Sequence, residues 1–245
     1  MLKVSLILTT YNSKDNLTKT LESIEMQDYP EIEVVIKDGG SVDGTVTVIR
    51  DYEKKSKYPV VWESQSDSGI YDAMNQGYAM SSGDVIVFFN DVFMNSSVVR
   101  NMVKKITENP ACVGAHADLV YKDGDKVVRK WHMGEGSIYR GWMPGHPTLF
   151  LKREIYERYG LYRTDFKISA DYEFMIRFLK DKENQLAYLP EIMVSMFCGG
   201  TSNGGTGYLL SLKEGYIALR ENEISCLKAC GITVLRILRV LQQFF

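Results

Sequence analysis

Ile32-Glu33-Val34-Val35-Ile36-Lys37-Asp38-Gly39-Gly40-Ser41-Val42-Asp43-Gly44-Thr45 is the stretch whose reading decides the fold class. Ile32 to Ile36 is a β-rich apolar run, Asp38-Gly39-Gly40-Ser41 turns the chain, and a helical pattern starting near Asp43 carries Val46, Ile49 and Tyr52 on one side. The same grammar extends in both directions. Upstream, Val4 to Leu8 reads as a first strand, Asn12 to Asp15 offers capping side chains, and Leu17, Leu21 and Ile24 recur at helical spacing until Asp28-Tyr29-Pro30. Downstream, Val60 to Glu63 is a third strand, Tyr71 to Met80 a third helical pattern broken by Ser81-Ser82-Gly83, and Asp84 to Asn90 a strongly apolar fourth strand. Strands alternating with helices predict an α/β protein, Rossmann-like, with a mostly parallel sheet flanked by helices.

Beyond Ser96 the order becomes mixed. A helix to about Thr107 precedes β-rich stretches near Cys112 to Tyr121 and Lys126 to Trp131, then a Gly-rich connection to Pro147. Helical patterns return at Lys152 to Tyr159 and Asp171 to Leu179, followed by two short strands, Ala187 to Leu189 and Met193 to Phe197. Gly199-Gly200 and Gly204-Gly205 bracket a stretch expected to be a mobile loop. The expected organisation is one catalytic-sized domain over 1–222, with halves 1–95 and 96–222, and a terminal amphipathic helix over 223–245. A chain of 245 residues that is 45% hydrophobic can bury the core of one such domain.

A formal net charge of −2 excludes binding driven by a nucleic-acid backbone, which needs a surplus of Lys and Arg along a groove. Cys112, Cys198, Cys226 and Cys230 form no CxxC pair, so reduced thiols are expected rather than a zinc site or a disulfide framework. The opening apolar run is too short for a signal peptide, and no apolar stretch reaches the roughly 20 residues of a membrane span. These features predict a cytoplasmic protein, soluble or peripheral on the inner face of the cytoplasmic membrane.

In open parallel sheets the ligand sits beyond the carboxyl ends of the strands. Those ends read Thr9-Thr10-Tyr11-Asn12, Asp38 to Thr45, Glu63 to Asp67 and Asn90-Asp91, a lining of carboxylates, hydroxyls and one ring. In combination with Ser66-Asp67-Ser68-Gly69-Ile70-Tyr71-Asp72-Ala73-Met74-Asn75-Gln76-Gly77, Gly145-His146-Pro147 and Ala170-Asp171-Tyr172-Glu173, the chain resembles the inverting glycosyltransferases of family 2, over roughly its first 200 residues. The resemblance implies the GT-A nucleotide-diphospho-sugar transferase fold. It further implies transfer of a sugar from a nucleotide-sugar donor, UDP-linked by best match, to a saccharide or polyprenyl-linked acceptor in surface polysaccharide, capsule or lipopolysaccharide biosynthesis.

Residue by residue, the resemblance makes Asp38 the carboxylate that accepts from the donor base, with Thr9 and Tyr11 as its floor. Asp67 is the second base or ribose contact, and Asn12, Gly39, Ser41, Gly69, Ile70, Asp72, Asn75 and Asn90 complete the donor set. Asp38 capping its own turn, and Asp67 capping the next helix, are the structural alternatives. A departing nucleoside diphosphate needs its charge stabilised, so a divalent Mg²⁺ or Mn²⁺ is expected, with Asp91 as ligand and His146 supplementing it. Here the family usually has two acidic residues, and Asn90-Asp91 keeps one. Asp171 matches the family's catalytic aspartate, the base that takes the proton from the acceptor hydroxyl; a carboxylate favoured by a helix N-terminus is the alternative. Glu173 reads as structural or acceptor-facing.

Trp131, Tyr139 and Trp142 offer ring faces to a sugar or to the core. The tail from Leu227 to Phe245 carries Lys228, Arg236 and Arg239 and no acidic residue among many apolar ones, which fits peripheral membrane contact or packing on protein. Two other functions stay open at the level of residues: a non-catalytic sugar-nucleotide or saccharide-binding protein on the same fold, and a nucleotidyltransferase. The second lacks a Gly- and basic-rich phosphate loop at Thr9 to Ser13.

Overall fold

The computed structural model describes residues 1–181, 183–197 and 205–242, without the side chains of 205, 206, 241 and 242. The opening pattern appears as a regular winding: β1 (Val4–Thr10), α1 (Lys14–Glu25), β2 (Ile32–Asp38), α2 (Thr45–Lys55), β3 (Val60–Ser64), α3 (Ile70–Met80) and β4 (Val85–Phe88). The second half contributes β5 (Val92–Phe93), α4 (Val98–Glu108), β6 (Cys112–Asp123), β7 (Lys126–Trp131), β8 (Phe150–Lys152), α5 (Arg153–Tyr159), α6 (Ala170–Leu179), β9 (Gln185–Phe197), α7 (Gly205–Glu221) and α8 (Cys226–Gln242). Two 3-10 turns, Ile138–Arg140 and His146–Thr148, fill the Gly-rich connection.

Among the described residues the strands form one nine-stranded mixed sheet in the order β3-β2-β1-β4-β8-β6-β9-β5, with β7 paired to β6. β3, β2, β1 and β4 run parallel, so their carboxyl ends open on one edge. β8 is antiparallel to both β4 and β6, and it joins the wound half to the β6–β9 pair, which is again parallel. Both faces of the sheet are covered. Leu6 and Leu8 of β1 pack with α1 and α4, while Ile7 between them packs on the opposite side with α3 and α6. Burial on both faces is why β1 and β2 read as continuous apolar runs instead of alternating ones. Each such Leu or Ile contributes about 1.5–3 kcal/mol relative to exposure.

Four sequence expectations are corrected. The two short strands after Ala187 are one strand, β9, in which Ala117 pairs Leu189 and Asp118 pairs Ile192, so Pro190 and Glu191 form a bulge. Proline cannot donate to a ladder, and the irregularity accommodates it without ending the strand. The fourth strand stops at Phe88, because the Asn90 side chain turns back to the end of β1. α1 opens without a cap from its own sequence; Lys14 N–H donates to Asp43 Oδ2 at 3.2 Å and Ser13 N–H to Thr45 Oγ1 at 3.0 Å, both across from the next loop. The helix α7 was not anticipated. Most of the expected mobile loop, with Gly199, Gly200 and Gly204, lies outside the described residues, as do Cys198, Phe244 and Phe245; the backbone of Gly205 opens α7. Cys112, Cys226 and Cys230 are free thiols.

Candidate active site

The loops that follow β1 and β2 are built as one unit. Asn12, in the left-handed region at φ 46°, donates its N–H to Ser41 Oγ at 2.7 Å, and its side-chain oxygen accepts from Val42 N–H at 2.9 Å. Asp38 is fully buried at the end of β2. Its Oδ1 accepts from Ser41 Oγ at 2.5 Å, and its Oδ2 accepts from Gly40 N–H at 3.1 Å, Ser41 N–H at 2.9 Å and Ser64 Oγ at 2.6 Å. Gly40 sits at φ 85°, which the turn requires. The carboxylate therefore organises the turn, its acceptor positions taken by the protein's own donors. Thr9 at the end of β1 is clamped by Asn90, whose amide accepts from the Thr9 N–H and donates to its Oγ1, both at 3.0 Å.

The loop between β3 and α3 closes the other wall. A Cβ on Gly39 would lie 2.9 Å from Asp67 Oδ2 and 3.3 Å from the Tyr11 ring, so Asp67, Gly39 and the two-thirds exposed Tyr11 are immediate neighbours. Asp67 Oδ1 accepts from Gly69 N–H at 2.9 Å, and Asp72 Oδ2 accepts from Ser68 N–H at 2.8 Å and from Gln76 at 2.9 Å. Those donors hold the Asp72 carboxyl below its usual range. Both aspartates thus order the start of α3, the capping alternative, with Ile70 half-exposed between them. Asn75 spends both ends of its amide on the Tyr162 backbone, at 2.8 and 3.0 Å.

Tyr71, directly after these residues, connects the two halves of the molecule. Its hydroxyl donates to Asp171 Oδ1 at 3.1 Å. Burial and the neighbouring Asp171 carboxylate push the Tyr71 phenol far up, so it stays a donor. Asp171 sits in the first turn of α6, in a cavity edge shared with His146. His146 stacks near Phe88, 6.0 Å between centroids, and its Nε2 meets the Tyr162 hydroxyl at 2.9 Å. Burial lowers the imidazole, keeping it neutral. Glu173, by contrast, is buried and structural: Arg177 pairs with it at 2.9 Å and Asn222 donates to it at 3.1 Å.

Asp91 is 8% exposed beside β5, and its Oδ1 accepts from Phe197 N–H at 3.3 Å. Burial, weakly countered by that N–H, pushes its carboxyl up to about 7. An under-compensated buried carboxyl fits the role of a cation ligand. Among the described residues no group of three or more His, Cys, Asp and Glu side chains is arranged to hold a metal ion. Any cation here would therefore draw remaining ligands from substrate and water.

Beyond Asp171 opens a cavity of about 410 Å³ whose described lining contains no residue before Tyr121. Trp131 and Trp142 line it; Trp142 is buried, its indole N–H donating to the Met133 carbonyl at 3.0 Å, while Tyr139 lies outside it.

The sequence profile described as "Glycosyl transferase family 2" matches residues 5–182. The chain belongs to that family. An uncharacterised glycosyltransferase of Mycobacterium tuberculosis (strain ATCC 25618 / H37Rv) is 33% identical over 185 residues, covering 71% of this chain and 68% of the relative. A Methanococcus voltae enzyme is 25% identical over 244 residues, covering 87% of this chain and 75% of its own. It is named dolichyl N-acetyl-alpha-D-glucosaminyl phosphate 3-beta-D-2,3-diacetamido-2,3-dideoxy-beta-D-glucuronosyltransferase. Among solved structures, residues 1–349 of S. aureus TarS in complex with UDP-GlcNAc superpose with a TM-score of 0.74 at 18% identity, covering 98% of this chain and 73% of that one. The chain spans 43% of the length of the longer TarS structure. The fold is GT-A, and the family acts in glycan biosynthesis.

Two site features escaped sequence reading. Lys37 is fully buried, its Nζ donating to the carbonyls of Gln65 at 2.7 Å and Asp38 at 3.3 Å, and it binds the β2 and β3 ends together. A lysine inside a strand pattern carries no mark of this. The Tyr71 contact to Asp171 spans 100 positions, and no local pattern encodes it.

Proposed function

We propose that this chain is a metal-dependent inverting glycosyltransferase that moves a sugar from a nucleoside diphosphate, UDP by resemblance, to a saccharide or lipid-linked acceptor. The observation that carries the reading is the Tyr71–Asp171 hydrogen bond. It brings Asp171, the candidate base, against the turn that follows Asp67, which supports a transfer centre formed between the strand-end loops and the second half.

In this reading the base rests between Tyr11 and the Asp67–Ile70 turn, with Thr9, Asn12, Gly39, Ser41 and Asn90 shaping the floor. Asp38 acts through the turn it organises, Asp72 and Gly69 by fixing the start of α3, and Asn75 by holding Tyr162. Asp91 supplies the protein's carboxylate to a divalent cation, and His146, beside Phe88, is the remaining ligand candidate. A bound Mg²⁺ or Mn²⁺ would stabilise the charge of the leaving diphosphate. Asp171 takes the proton from the acceptor hydroxyl as that oxygen attacks the anomeric carbon from the face opposite the diphosphate, which inverts the configuration. Tyr71 fixes the carboxylate while leaving Oδ2 for the acceptor. The M. voltae relative is named for a lipid-phosphate-linked acceptor, which supports an acceptor of that kind here.

The test is Asp171→Asn. It should retain UDP affinity by calorimetry in the presence of Mn²⁺ and lose transfer by roughly 10²–10⁴-fold, the usual contribution of a general base. Transfer at the original rate would remove Asp171 from the chemistry.

A further inference from the structure

We propose that the cavity beyond Asp171 recognises a phosphate group carried by the acceptor, through Arg236 and Arg239 of α8 with Lys130 of β7. The inference rests on the transferase reading and names the chemical class of its acceptor.

The charge inside this cavity is unlike that of the chain. Arg129, Lys130, Arg236 and Arg239 all line it, and among the described residues Asp171 is its only acidic lining residue, although the whole sequence carries a net −2. Among the described residues, Lys130, Arg236 and Arg239 take part in no ion pair, so their charge is not spent within the protein. The two arginines are also held in place. The Arg236 guanidinium lies 3.9 Å from the centroid of the Tyr172 ring, and Tyr172 is the residue after Asp171. Gly215 leaves the room it occupies, since a Cβ there would lie 2.5 Å from an Arg236 terminal nitrogen. Arg239 Nε donates to the Arg140 carbonyl at 3.1 Å. Gly141, at φ 68°, lets α8 press against the 3-10 turn, with a Cβ there only 2.7 Å from Arg236 N. A stacked, pre-oriented guanidinium matches the oxygens of a phosphate better than a mobile ammonium does.

The placement separates this anion from the donor's. Every described lining residue comes from Tyr121 onward, whereas the donor loops lie between Thr9 and Asn90. Inversion puts the base on the side of the acceptor, opposite the leaving diphosphate, and Asp171 lines the cavity. Cations on that side meet the acceptor. Trp131, within the same lining, offers a ring face to its sugar or lipid.

The experiment uses the full chain saturated with UDP and Mn²⁺, so that the donor site is filled. Binding of inorganic phosphate, geranyl phosphate and geraniol is measured by calorimetry. Flotation with vesicles of phosphatidylcholine containing phosphatidylglycerol is measured in parallel. The wild type should bind the phosphates and not geraniol, and Arg236→Ala/Arg239→Ala should weaken phosphate binding about tenfold or more. Tighter binding of geranyl phosphate than of inorganic phosphate assigns the group to a lipid carrier, and equal binding assigns it to the glycan; either supports the proposal. Because Arg236 packs on Tyr172, the exposed pair Lys130→Ala/Arg239→Ala is the second variant and should lose affinity in the same direction with an unchanged melting temperature. Phosphate binding indifferent to both variants overturns the proposal, as does a loss confined to vesicle flotation, which would make the arginines a bilayer contact. Failure of the wild type to bind UDP would instead overturn the transferase reading.

Discussion

At the scale of single residues, the site is governed by carboxylates whose surroundings differ. Asp38 is buried and saturated by four donors, Asp91 is buried with one weak N–H, and Asp171 holds a tyrosine hydroxyl. Each environment predicts a different loss on substitution. Asp38→Ala leaves the Gly40 and Ser41 N–H groups and two hydroxyls without their acceptor, at about 1–3 kcal/mol for the unsatisfied donors. It should lower the melting temperature and weaken UDP binding together, by thermal shift and calorimetry. Unchanged UDP affinity would dissociate the turn from the donor. The residue types at Thr9, Asp38, Asp67 and Asp171 were legible in the sequence because their motifs follow strands and open helices. Their bonding was not, since a motif names a side chain and only its neighbours in space decide which lone pairs are occupied.

Among the elements, β2 shows how a charged side chain can hold a parallel sheet together. Glu33 is 4% exposed near the start of an apolar strand. It accepts from Ser5 Oγ of β1 at 2.6 Å, from Ser82 and Gly83 ahead of β4, and it pairs with Lys3 at 2.5 Å. Burial alone would raise its carboxyl, but the bonds to Lys3, Ser5 and Ser82 outweigh it and hold the group at about 2 against an ordinary 4.5. The folded value lies below the unfolded one, so the stabilisation is complete above about pH 4.5 and drains away as pH falls toward 2. Glu33→Gln should cost roughly 2 kcal/mol at neutral pH, or about 4–8 °C in melting temperature. It should also flatten the wild type's decline between pH 4.5 and 2. A variant that melts with the wild-type pH profile would show that Glu33 is not the group responsible. The strand itself was plain from its apolar run, yet nothing local distinguishes this glutamate from one at a sheet edge.

For the molecule as a whole, α8 has two different faces. Ala229 and Ile232 are buried against the second core, and Arg236 and Arg239 line the cavity beside Asp171. Leu227, Val234, Leu235 and Leu238 are exposed, Leu227 at 87%. No helix among the described residues is long and apolar enough to cross a membrane. An exposed apolar stripe that begins at Leu227, beside Lys228, with no acidic residue from Cys226 to Gln242, suits the headgroup layer of an anionic bilayer. We propose that contact, and Leu227→Glu/Val234→Glu/Leu238→Glu should abolish flotation with phosphatidylglycerol vesicles while sparing UDP binding. Flotation equal to wild type would leave the stripe to a protein partner.

The winding of the first ninety residues and the carboxylates that follow its strands were determined by the sequence alone. Those features depend on local periodicity and turn chemistry, which repeat along the chain at short range. The strand pairing of the second half, the end of the fourth strand at Phe88, the bulge at Pro190, the capping of α1 from another loop and the meeting of Tyr71 with Asp171 were decided by tertiary structure. So was the conversion of a basic tail into one wall of a cavity. Contacts of that kind join residues tens of positions apart. They exist only after the sheet has brought its halves together, because it is packing that selects which buried polar group finds which partner.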